Sequence, residues 1–67
     1  MIALVIELKG TVKEAFSYER PLNEGSYQAL VEYAQANYGP DATLRHMTSE
    51  EKANFLRYGP EFFEQKS

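Results

Sequence analysis

Apolar residues form a nearly continuous run from Ile2 to Leu8, which Glu7 alone interrupts. The run is rich in β-branched side chains and is followed by Lys9-Gly10, a combination that is typical of a strand ending at a turn. Because apolar side chains occur at successive positions, we expect both faces of this strand to be covered, as in the central strand of a sheet.

Apolar and polar residues alternate over the next segment, from Val12 to Arg20. The alternation predicts a half-buried strand that forms a hairpin with the first. Counting along the strand places Val12, Phe16 and Tyr18 on its apolar face. Glu14 lies on the same face, because the side chains of a strand alternate between its two sides.

The loop between these two strands sets their register. A loop of three residues, Lys9-Gly10-Thr11, places Leu4 opposite Phe16 and Glu14 opposite Ile6. A loop of two residues would shift the pairing by one position and turn a whole apolar set to the wrong face. The pattern therefore predicts the three-residue loop.

Helical spacing of apolar residues follows Pro21 and predicts a first helix with Asn23 as its N-cap. Gly39-Pro40 supplies the stop signal. The apolar positions of this helix are Tyr27, Leu30, Val31, Ala34 and Tyr38. We expect this stripe to pack on one face of the sheet.

A short third strand is predicted from Ala42 to Met47, and a second helix follows it. Thr48-Ser49-Glu50-Glu51 has the sequence of a capping box, which opens a helix. Gly59-Pro60 ends this helix and nearly repeats the exit of the first. We expect residues 60–67 to form a tail that is either flexible or one short helical turn. The apolar residues of the second helix are Ala53, Phe55, Leu56 and Tyr58.

The predicted order of elements is β-β-α-β-α, in a single domain over residues 1–67. A right-handed crossover through the first helix places the third strand beside the first. We therefore predict an α+β fold with a three-stranded antiparallel sheet, in the order 2-1-3, packed by one or two helices.

Composition narrows the function classes. The chain has no cysteine and a net charge of −3, which suits solubility and provides no basic track for nucleic acid. The apolar run at the start is too short for the core of a signal peptide or for a membrane span. We expect a cytoplasmic protein. Its size and layout resemble those of many small proteins of phages and mobile elements, an analogy of format alone.

Candidate catalytic and metal-binding residues are few. His46 is the only histidine, and no serine lies in a nucleophile-elbow pattern. Glu14 faces the apolar side of its strand and could act as an acid or base together with His46. The commoner role of such a residue is that of a carboxylate at the sheet rim, paired with a base or protecting an edge strand. We expect no catalytic residue, no cofactor, no metal and no enzymatic activity.

An alternative function is the binding of single-stranded nucleic acid by the hairpin. Lys9, Lys13 and Arg20 lie along it, and Phe16 or Tyr18 could stack on bases. Acidic residues are interleaved with the basic ones, so the local field is expected to be near neutral. Nucleic acid is therefore the less expected partner, and a membrane is not expected.

The aromatic residues are the most informative part of the composition. Five tyrosines and four phenylalanines are more rings than so small a core shelters easily, although they could also serve to close that core. Tyrosine and phenylalanine are enriched at protein interfaces. We therefore predict a non-enzymatic accessory or regulatory protein that acts by contact with a protein partner or with a second copy of itself. The predicted contact residues are Tyr18, Tyr33, Phe62 and Phe63.

Overall fold

A computed structural model describes residues 2–64 of the chain. Its elements are β1 (Ile2–Leu8), β2 (Thr11–Tyr18), α1 (Glu24–Tyr38), β3 (Thr43–His46), α2 (Ser49–Tyr58) and α3 (Glu61–Glu64). The three strands form one antiparallel sheet in the order β2-β1-β3. The predicted α+β fold and strand order are confirmed. The predicted tail forms the helical turn α3, and its last three residues lie outside the described part of the chain.

The central strand carries most of the core. The side chains of Leu4, Val5 and Ile6 are completely buried, because helices cover both faces of β1. On one face Ile6 packs with Ala34 of α1. On the other face Val5 packs with Phe63 of α3. The continuous apolar run of β1 thus serves two separate clusters.

The hairpin between β1 and β2 corrects the predicted loop. Leu4 pairs with Phe16 and Ile6 with Glu14, as predicted. The loop nevertheless consists of Lys9-Gly10 alone, with φ values of 52° and 82° at its two residues. Two successive positive φ angles are characteristic of the type I′ turn, whose twist matches that of the flanking strands. The shorter loop is favoured for that reason.

A β-bulge reconciles this short loop with the predicted register. The register shifts between Ile6 and Glu7, so that Glu7 pairs with Val12 and Lys13 becomes an extra residue of β2. The extra residue reverses the alternation of side chains at this point. The predicted position of Val12 beside Phe16 is therefore wrong: Val12 packs in the cluster beneath α3.

The first helix begins and ends where the sequence predicts. The Asn23 side chain accepts a hydrogen bond from the Ser26 N–H at 2.8 Å, as an N-cap does. At the other end the Gly39 N–H donates to the Gln35 carbonyl at 2.9 Å. The helix packs against β3, where the Tyr27 hydroxyl donates to the Leu44 carbonyl at 3.3 Å, and the side chains of Tyr33 and Tyr38 reach across to β2.

The second helix begins at the predicted capping box. The Thr48 hydroxyl accepts from the Glu51 N–H at 3.1 Å, and the Glu51 carboxylate accepts from the Thr48 N–H at 2.9 Å. The apolar residues predicted for this helix do not form one buried stripe. Phe55 packs against the core, whereas Ala53, Leu56 and Tyr58 are exposed. Their spacing spreads these side chains around the helix, so α2 cannot bury them all against the sheet. The short α3 covers this side of the sheet instead.

Candidate functional site

The outward side of α2 is the most unusual surface of the described chain. Five residues of α2 are exposed and recur at the spacing of one helix face. Leu56 is 64% exposed, more than any other large apolar side chain among residues 2–64. We define the α2 outer face as the exposed residues Ser49, Glu50, Ala53, Leu56 and Arg57.

An ion-pair network holds the opposite side of α2 against the sheet. Arg45 on β3 contacts the Glu7 carboxylate at 3.0 Å and the Glu51 carboxylate at 2.7 Å. The hydrogen bond from Arg45 is the largest cause that lowers the pKa of Glu51 to about 2, and the same contact raises the pKa of Arg45. The ring of Phe55 lies 6.3 Å from that of Phe63 farther along the helix. These contacts determine which side of α2 faces the solvent.

Glu14 joins β2 to α1 through two phenol groups. The hydroxyls of Tyr33 and Tyr38 donate to the same Glu14 oxygen, Oε2, at 2.7 and 2.6 Å. These hydrogen bonds raise the pKa of Tyr33 and raise that of Tyr38 to about 12, because an ionised phenol could no longer donate to the carboxylate. Glu14 is thus a carboxylate at the sheet rim, and its partners are tyrosines rather than a basic residue.

The tyrosines predicted as contact residues lie on the α1 side of the sheet. Tyr33 is 41% exposed, and its ring meets that of Phe16 edge to face at a centroid distance of 6.3 Å. Tyr18 is half-buried near the end of β2, opposite Ile2. The Phe16 ring, predicted as a stacking platform for bases, is half-buried against this neighbour.

The predicted phenylalanines lie on the other side of the sheet. Phe63 is only 8% exposed and belongs to the core. Phe62 is half-buried, and its ring stacks on that of Tyr58 at 6.3 Å. The structure therefore divides the four predicted residues between two faces, and it does not bring them together into one surface.

Glu14 and His46 do not converge. Glu14 pairs with Ile6 and His46 pairs with Leu4, so that the two residues share a face of the sheet but lie on its opposite edges. The spacings of a sheet put their Cα atoms about 12 Å apart. The Glu14 carboxylate is also turned towards its two tyrosines. Among residues 2–64 no three potential metal ligands are grouped together.

Sequence reasoning missed the α2 outer face, although a signal for it exists. On a helical projection Leu56 lies about 100° and Ala53 about 160° away from the inward-facing Phe55. Such an arrangement cannot bury all three side chains against one sheet. The angular distribution of apolar residues, rather than their number, would have indicated an exposed leucine.

No helix within the part of the chain that the structure describes has the length and apolar character needed to cross a bilayer. Comparison of the chain with protein-family models, with curated proteins and with solved structures finds no match.

Proposed function

We propose that this chain is a small, cytoplasmic, non-enzymatic accessory or regulatory protein that acts by protein–protein contact through the α2 outer face. The observation that carries the proposal is the exposure of Leu56 on a helix whose opposite side is fixed to the sheet. Complete burial of a leucine side chain is worth about 1.5–3 kcal/mol. Most of that free energy is unrealised in the monomer and is available to a partner.

The surroundings of Leu56 have the composition of a contact surface. Ala53 lies one turn before it and is small enough to let a partner approach closely. Arg57 follows it, with its guanidinium carbon 5.3 Å from the centroid of the Tyr58 ring. Arginine and tyrosine are enriched at protein interfaces. Tyr58 is itself 55% exposed, but its ring stacks on that of Phe62 in α3 and it lies outside the α2 outer face. Phe63 is not part of it, because its ring is buried.

The test is site-specific photo-crosslinking in the cells that naturally contain the protein. A photoreactive phenylalanine analogue at position 56 is expected to give adducts with a protein. The same analogue at position 28, an exposed glutamine on α1, is the matched control and is expected to give none. No protein adduct from position 56, or equal adducts from both positions, would contradict the proposal.

A further inference from the structure

We infer that the occupant of the α2 outer face is a second copy of this chain, whose α2 lies antiparallel to the first. This inference rests on the proposed function and names its partner. Opposite charges lie at the two ends of the face. Glu50 lies in the first turn of α2 and Arg57 in the last. Both are exposed, and within residues 2–64 neither has a salt-bridge partner.

The spacing of these two charges fits a two-fold axis. Glu50 and Arg57 are seven residues apart, so they project from the same flank of the helix, two turns from each other. A two-fold axis that lies in the interface, perpendicular to two antiparallel helices, places this flank of one helix beside the same flank of the other. The two helices run in opposite directions along that flank. Glu50 of each copy then meets Arg57 of the other, and one symmetric contact forms two ion pairs.

The apolar residues fit the same arrangement. When the axis crosses midway between Glu50 and Arg57, Leu56 of one copy lies between the levels of Ser49 and Ala53 of the other. Both of these residues are small, so the helix backbones can approach closely and each leucine finds a recess. The register that pairs the charges is thus also the register that places the leucines. The two fits depend on different residues.

The contact is expected to be weak. A helix of ten residues is about 15 Å long, and its face covers less than the roughly 800 Å² per partner of a standard interface. We therefore expect a dissociation constant on the order of 0.1 mM. Measurements need protein concentrations from about 10 μM to about 2 mM to span this value.

Sedimentation velocity of charge-reversal variants tests the inference. Glu50→Arg and Arg57→Glu each create two pairs of like charges across the dimer, one at each end of the contact. Each substitution is expected to weaken association at least tenfold. The double variant restores opposite charges and is expected to associate within about threefold of the original chain. Glu32→Arg is the control, since Glu32 is exposed on α1 and its reversal should leave association unchanged.

Two features make this experiment independent of folding. Both charge reversals are unfavourable to the helix dipole, so α2 is less stable in the double variant than in either single variant. Recovery of association by the double variant can therefore come only from the restored contact. In addition, the two single variants mixed together carry opposite charges across both ion pairs. They are expected to form a heterodimer at concentrations at which each variant alone is largely monomeric. Circular dichroism checks that each variant retains its helices.

A chain that stays monomeric up to about 2 mM would overturn the inference. So would a dimer that charge reversal does not affect. The proposed function is tested separately, because a crosslinked adduct from position 56 has twice the mass of the chain only if the partner is a second copy. An adduct of any other mass would support the proposed function and refute the second copy as partner.

Discussion

The two long helices of this protein end in nearly the same four residues but have different surroundings. Gly39 and Gly59 have φ values of 98° and 76°, and their N–H groups donate to Gln35 and Phe55 at 2.9 and 2.8 Å. The tyrosine before each glycine differs in its contacts. Tyr38 is half-buried and donates to a carboxylate, whereas Tyr58 is exposed and stacks on another ring.

This difference shows which properties are local and which come from the fold. The exit from each helix is set by a glycine and a proline within the same short segment. The role of the preceding tyrosine depends on what the helix crosses. The 15-residue α1 lies over the sheet and brings its last turn to β2, while the 10-residue α2 has its last turn beside α3.

The largest effect is expected from removing the ring that covers the α2–α3 side of the sheet. Phe63→Ala deletes a buried phenylalanine and should lower the free energy of unfolding by about 3–5 kcal/mol. For a domain of this size that leaves little residual stability. Urea denaturation followed by circular dichroism measures the loss.

Leu56→Ala is the matched control, at a protein concentration of about 5 μM, far below the expected dissociation constant. Because Leu56 is exposed in the monomer, its truncation should change the free energy of unfolding by less than about 0.5 kcal/mol. Equal losses for the two variants would show that burial does not distinguish them.

The two helix exits can be compared directly by alanine substitution of their glycines. Gly39 and Gly59 combine positive φ with extended ψ, a region that is essentially restricted to glycine. An added Cβ meets no atom within 4 Å at either position, so the cost is one of backbone strain. Gly39→Ala and Gly59→Ala should therefore each cost about 1–3 kcal/mol, by similar amounts.

Gly25→Ala is the control for this pair. Gly25 lies in the first turn of α1 with ordinary helical φ, so alanine there should be neutral or stabilise by up to about 1 kcal/mol. If Gly39→Ala is destabilised while Gly59→Ala unfolds at the same urea concentration as the original chain, the two exits are not equivalent.

Acid should weaken the α2 side of the molecule through Glu51. Its pKa is about 2 in the folded chain, below its value in the unfolded chain. The folded state therefore binds fewer protons, and the Glu51–Arg45 contact adds stability above about pH 5 that is lost as the pH falls towards 2. After allowance for its partial exposure to solvent we expect a loss of about 1–2 kcal/mol.

Glu51→Gln isolates this contribution from those of the other carboxylates. The difference in unfolding free energy between the original chain and the variant should be largest near pH 7 and should shrink towards pH 2.5. A difference that is constant across this range would contradict the assigned role of the ion pair.

The smallest effect is expected from the tyrosine hydroxyls. Tyr38→Phe removes a 2.6 Å hydrogen bond to Glu14 and should cost about 1 kcal/mol. Tyr58→Phe removes the hydroxyl of an exposed ring at the other helix exit and should not change the free energy of unfolding measurably. Chemical denaturation of both variants side by side decides the matter. Equal stabilities would mean that the Tyr38–Glu14 hydrogen bond does not stabilise the packing of α1 on β2.

The sequence predicted those features that depend on neighbouring residues. The N-cap at Asn23, the capping box at Thr48 and both glycine exits involve residues within four positions of each other, and the strand faces follow from parity. The features it missed join distant positions. Tyr38 and Glu14 are 24 residues apart, and Arg45 and Glu7 are 38 apart. Such contacts exist only once the sheet and helices have packed.

The bulge was missed for a different reason. A two-residue turn and the correct pairing of Leu4 with Phe16 are incompatible in an unbroken ladder, and one extra residue in β2 makes them compatible. Parity arguments assume an unbroken ladder. They therefore identified the right register and the wrong loop, and they placed Val12 on the wrong face.

The bulge at Lys13 also affects how the protein behaves at high concentration. Within residues 2–64 β2 is hydrogen-bonded to a strand on one side only. The backbone groups on its other side could pair with a strand of another molecule, which is how fibrils grow. A kinked ladder with a lysine at the kink offers a poor template. Millimolar solutions should accordingly stay clear and fail to stain with amyloid dyes.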